Sequence, residues 1–194
     1  MVIAALAVPL YQAQTPTSSS PPVELAISGP KILHRGDKLW FSATLTNRSG
    51  ATIAVPSPSS KLFWWYTLEV GWEITDKRGR RLASKQAGEV RFDNMIGMPT
   101  FHDSDFVLLK AGEKIEYNHD NLGDPSDLFL FPGNGLYYIS LTWHFCTPTE
   151  KPLPNNATAY TCGIAQALSP SIKEILLATP SFHVRSNVWD VNLK

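Results

Sequence analysis

The sequence predicts an all-β protein, an antiparallel β-sandwich of about seven to nine short strands with one short helix set in an insertion. Three observations lead there. Beyond Pro22, apolar residues recur at every second position in one short segment after another. Gly, Pro, Asn and Asp fall between those segments, and only one stretch carries the spacing of a helix. The 194 residues, 43% hydrophobic and 18% charged, suit a single core. Seventeen basic residues balance seventeen acidic ones, so there is no net charge with which to bind nucleic acid or an anionic membrane surface.

Residues 1–22, "MVIAALAVPLYQAQTPTSSSPP", run apolar from Val2 to Leu10 and then turn polar and proline-rich, the profile of a secretory signal and linker. Two features depart from that profile: no basic residue leads the run, and Tyr11 stands where a small residue would precede cleavage after Ala13. The expectation is an exported protein, secreted or periplasmic, whose residues 23–194 form one domain. No later run reaches the roughly 18 apolar residues of a membrane span.

In "VELAIS", Val23, Leu25 and Ile27 share one face; in "KLWFSATLTN", Leu39, Phe41, Ala43 and Leu45 point inward while Lys38, Ser42, Thr44 and Thr46 point out. "YTLEVGWEITD" repeats the pattern with Leu68, Val70, Trp72 and Ile74, and Gly79 in "DKRGRRL" suits a tight hairpin turn. "DFVLLKAGEKIEY" gives two short strands around Ala111 and Gly112. "GLYYISLTWHF" sets Tyr137, Ile139, Leu141, Trp143 and Phe145 on one side, and "SFHVR" adds Phe182 and Val184.

An insertion runs from about Cys146 to Thr179. Within it "SPSIKEILLAT" predicts the one helix, with Ser169 as cap, Pro170 at the first position, and Ile172, Ile175 and Leu176 on the apolar face. The only two cysteines, Cys146 and Cys162, flank the loop-like "TPTEKPLPNNATAYT". In an oxidising compartment the pair would close that loop, contributing about 3 kcal/mol. Their spacing fits neither a CxxC redox pair nor a zinc knuckle.

Three stretches together resemble a known pattern. "HRGDKLWFSATLTNRSG", "LLKAGEKIEY" and "FPGNGLYYISL" are similar, in that order, to the glycine-led strand, the L-x-x-G-E turn and the PG-x-Y-x-I motif of bacterial immunoglobulin-like modules, which include the intracellular proteinase inhibitor family. The likeness covers about Val23 to Phe145, with "SFHVR" as last strand, and implies an immunoglobulin-like sandwich. Inhibitor function does not carry over: an export signal conflicts with an intracellular inhibitor, and the insertion after Phe145 lies outside the pattern. The fold implies a structural role for Tyr137, whose hydroxyl would turn back onto the backbone of the corner before its strand. Tyr138 faces the opposite way.

The motifs of catalysis are missing. There is no G-x-S-x-G elbow, no G-x-G-x-x-G and no G-x-x-x-x-G-K-[ST]. Asp103 and Asp105 read as solvated loop carboxylates. The expectation is a non-enzymatic protein without a cofactor that acts by contact with another protein. Trp40 is out of phase with the buried face of its strand, and "KLFWWY" places Trp64 and Trp65 on opposite faces, so these three tryptophans are the candidate binding residues. Burial of that face under the insertion and its helix is the competing structural reading.

Two other functional classes compete. The same tryptophans would suit stacking on a glycan. In "FDNMIGMPTFHDSD", Met95, Met98 and His102 offer soft ligands to copper, with His119 or His144 as a fourth, although methionines there serve equally as adaptable packing. "NRS" at Asn47 and "NAT" at Asn156 match the glycosylation sequon in loop-like positions. His34 and His183 read as ordinary surface residues.

Overall fold

A computed structural model describes residues 21–60, 68–83, 101–147 and 167–194. Residues Val23–Ser28 (β1), Ile32–Leu33 (β2), Ser42–Asn47 (β3), Ile53–Pro56 (β4), Leu68–Asp76 (β5), Phe106–Leu109 (β6), Lys114–Asn118 (β7), Gly135–Phe145 (β8), Phe182–Arg185 (β9) and Trp189–Leu193 (β10) are extended. Helices occupy His119–Leu122 (α1), Pro125–Leu128 (α2) and Pro170–Ala178 (α3).

The strands form an immunoglobulin-like antiparallel β-sandwich. β1, β3 and β7 make one sheet, in that order. The facing sheet runs β2, β10, β8, β5, with β9 also paired to β8. β8 is the axis of this sheet: β5 pairs with residues 137–145 on one side, while β10 takes residues 135–139 and β9 takes residues 142–145 on the other. If β1, β3, β5, β7, β8 and the β9/β10 pair are lettered A, B, C, E, F and G, the partition is A-B-E against C-F-G, that of the immunoglobulin fold. Two features depart from it. β6 leaves β7 and pairs with β4 in a separate two-stranded layer, and β2 runs parallel to β10.

Alternation explains why these segments are strands. β1 reads buried–exposed throughout, with Val23, Leu25 and Ile27 inside. On β8 Tyr137, Ile139, Leu141, Trp143 and Phe145 face the core. Aromatic rings lock the layers together: Tyr117 of β7 meets Trp143 of β8 edge-on at 4.8 Å, and Phe41 meets Trp72 of β5 at 4.9 Å. The β3 pattern departs from simple alternation at its end, since Thr46 is buried rather than outward-facing. Leu39 and Phe41 are buried in the chain ahead of β3, whose ladder begins at Ser42.

Three local devices fix the ends. Gly79, with φ of 75°, turns the chain after β5, and the return leg makes a single bridge, Thr75 to Arg81. α3 lies against β4, whose four residues are all buried; Thr179 beyond its end accepts the Ala54 N–H at 2.9 Å. Asn187, in the break between β9 and β10, accepts the Ile27 N–H at 2.7 Å and donates to Ile27 O at 3.0 Å, joining the edges of the two main sheets. The helix at 170–178 stands where the spacing predicts it; α1 and α2 are additional single turns.

Candidate functional site

Residues 34–41 and 119–131 together build the most distinctive part of the surface. The first segment turns at Gly36, whose φ is 95°, and Asp37 closes the turn by accepting the His34 N–H at 2.8 Å. The Trp40 N–H then donates to Lys38 O at 2.9 Å, closing a tight turn about Leu39; Leu39 and Phe41 are buried and Trp40 between them faces outward. Trp40 is 55% exposed. Its backbone passes close to Gly29: a Cβ there would lie 2.7 Å from Trp40 O and 2.5 Å from the Trp189 ring, so only glycine allows this approach.

The second segment supports the ring. Asn118 caps α1 by accepting from the N–H groups of Asp120 and Asn121, and Asn121 Oδ1 accepts in return from the Asn118 N–H at 3.0 Å. That box fixes His119, which is 6% exposed and meets the Trp40 ring edge-on at 3.8 Å. His119 Nε2 lies 3.0 Å from Asp120 Oδ1, whereas Nδ1 is buried with no hydrogen-bond partner among the described residues. Asp124 caps α2 through the Ser126 N–H at 2.8 Å and accepts the Leu39 N–H at 3.3 Å. One buried carboxylate therefore ties the helical segment to the chain that presents Trp40.

On the other side of Leu39 lies a half-open cavity of about 350 Å³. Leu39, Phe129, Phe131, Tyr137, Val191 and Leu193 give it an apolar lining, to which Arg35, Asp37 and Asp127 add charge. Tyr137 serves as wall and anchor: its hydroxyl donates to Gly133 O at 2.7 Å, four residues upstream, and Phe131 packs edge-on against its ring at 5.0 Å. Leu130, 55% exposed, stands beside the opening residues. The arrangement offers apolar contact area with a few charges at its margin.

The remaining candidates fall elsewhere. Trp64, Trp65, Met95, Met98, Cys162 and Asn156 lie outside the described residues, while Cys146 follows the end of β8. His102 is exposed in the turn before β6, where its N–H donates to Asp105 Oδ2 at 2.8 Å. His102, His119 and His144 sit on separate elements, and among the described residues no group of three or more His, Cys, Asp or Glu converges to hold a metal. Asp103 and Asp105 are structural. Asp103 accepts the Ser169 N–H at 2.8 Å, and hydrogen bonds from Ser169 hold its carboxyl below the usual range; Asp105 accepts from Ser60 Oγ at 2.6 Å.

Asn47 requires a correction. Its side chain is fully buried: Nδ2 donates to Ala51 O and Leu109 O, each at 2.8 Å, and Oδ1 accepts from the N–H and hydroxyl of Ser49. A carboxamide with both ends committed inside the sandwich is not a glycan acceptor in the folded protein. His183 stands directly across from His144 in the β8–β9 ladder.

Fold and site together define an immunoglobulin-like module with an exposed aromatic contact. No known protein family matches the sequence, and no curated protein is detected as a relative. Several solved structures align with it, among them these two. One is the CARDB domain of the PF1109 protein from Pyrococcus furiosus, in complex with di-metal ions (TM-score 0.33, 14% identity, 90% of this chain and 89% of that chain covered). The other is Escherichia coli alpha-2-macroglobulin activated by porcine elastase (TM-score 0.33, 15% identity, 89% of this chain covered). The chain spans 9% of the alpha-2-macroglobulin chain. Neither likeness transfers a function, and the proposed link to intracellular proteinase inhibitors finds no support in them.

Proposed function

We propose that the protein is an exported, non-catalytic immunoglobulin-like module that works by contact with a protein partner, with Trp40 as the principal anchor. The observation that carries this reading is the exposed Trp40 ring, held in place by buried neighbours on both sides and by the His119 ring. A tryptophan whose orientation is fixed before contact loses little conformational freedom on binding, which is the property of an interface hot spot. Trp64 and Trp65 belong to the same proposal. A disulfide between Cys146 and Cys162 fits the export reading.

Site-specific photo-crosslinking tests it. A photoreactive phenylalanine analogue at position 40 should capture one protein in the native compartment, whereas the same analogue at exposed Glu116 on β7 should not. Trp40→Ala should abolish co-purification of that protein while leaving the melting temperature within about 2 °C, because an exposed ring contributes little to folding. Equal capture from both positions would defeat the proposal. A glycan-array signal lost in Trp40→Ala would assign the ring to sugars instead.

A further inference from the structure

We propose that His144 and His183 form a two-imidazole site for a late first-row divalent cation, copper(II), nickel(II) or zinc(II), on the outer face of the five-stranded sheet. The two residues are direct partners in the β8–β9 ladder. Both stand at outward positions, His183 exposed and His144 half-buried, between inward-facing neighbours. Their rings lie with centroids 6.0 Å apart and planes at 76°.

This spacing suits chelation. A metal–nitrogen bond is about 2.0–2.1 Å long, which puts the centre of a coordinated imidazole about 3.2 Å from the ion and two rings on a tetrahedral ion about 5 Å apart. Small side-chain rotations close the present gap by about 1 Å, with no movement of the backbone. Imidazole nitrogen is a preferred donor for these ions, and a square-planar or tetrahedral centre would take water in its other positions.

The scaffold holds the pair in register. On the opposite face of the same two strands, Phe145 and Phe182 stack at 5.1 Å with planes 19° apart, and Trp143 and Phe145 are fully buried. Side chains on such rigid strands keep a donor spacing more closely than side chains on loops. The neighbouring cation is already engaged. Arg185, two residues from His183, lies 2.5 Å from Glu73 Oε2 and donates to Ser140 Oγ at 3.2 Å, so its charge is directed along the sheet toward β5. The ladder also places Glu69 opposite His144 on β5.

The site is open to direct test. Tag-free, metal-free full-length protein would be titrated calorimetrically with copper(II), nickel(II) and zinc(II) salts beside His144→Ala and His183→Ala. The expected result is binding of one ion per chain, copper tighter than nickel, a rise in melting temperature with the bound ion, and loss of both effects in each single variant. His183 is exposed, so its variant should retain the fold, as checked by circular dichroism; if His144→Ala does not fold, His183→Ala decides alone. Absence of binding by the wild-type chain, or binding unchanged in His183→Ala, would overturn the proposal. So would loss in only one of two folded variants, which would locate the ion at a single histidine.

Discussion

Tyr117 and Asn47 show how far individual side chains are committed to the fold. The Tyr117 hydroxyl lies between the layers, donating to Pro56 O at 2.8 Å, and burial pushes its pKa well above the ordinary tyrosine value. An acid whose folded-state pKa is raised contributes stability that is complete below the unfolded pKa, about 10, and declines as pH rises toward the folded value. The wild-type chain should therefore lose stability above about pH 10. Tyr117→Phe should cost about 1 kcal/mol at pH 7 through the lost hydrogen bond, yet lose less on going to pH 11. Urea unfolding at the two pH values measures both effects, and parallel losses in the two proteins would contradict the assignment. Asn47 was visible in the sequence as a sequon and as the end of a strand motif. A three-residue pattern carries no information on whether backbone carbonyls from distant segments claim the amide, and here Leu109 does.

At the scale of elements, period-two alternation made the central strands legible, because each has one face on the core and one away from it. The buried sets of β1 and β8 follow directly from that pattern. α3 was legible from Pro170 and the apolar face that includes Leu176. Leu176 is fully buried against the core, so Leu176→Ala should destabilise the whole protein by about 2–5 kcal/mol in urea unfolding. A change below about 0.5 kcal/mol would mean that the helix is an appendage rather than the cover of β4. α1 and α2 carry a local signal in their caps: Asn118 with Asn121 forms a cap box, and Asp124 before Pro125 is a cap followed by a first-turn proline. The parallel β2–β10 pair and the separate β4–β6 layer left no such signal. β2 has only two residues and all four residues of β4 are buried, so neither shows alternation, and which strands pair is decided by distant contacts.

Across the whole molecule, the sandwich class emerged from the sequence while the arrangement of its surface did not. His144 and His183 read as unrelated histidines because they come together only when β9 returns to β8. Trp40 was legible as out of phase, but its support by His119 and the cavity beyond Leu39 depends on the 119–131 segment folding back. The proposed Cys146–Cys162 bond acts at the same scale by restricting the unfolded chain. Reduction with dithiothreitol should lower the unfolding free energy by about 3 kcal/mol, with no further loss in a Cys146→Ser/Cys162→Ser variant. Identical unfolding curves with and without reductant would remove the bond from the account.

Among the described residues β1 ends its sheet, and the outer edge of an end strand is where another molecule can add a strand of its own. At Ile27 that opportunity is already taken, because the Asn187 carboxamide supplies both an acceptor and a donor, as the backbone of an incoming strand would. The amide acts as a chain terminator for sheet growth: at that point on β1, self-assembly into extended β-polymers would first have to displace an intramolecular partner.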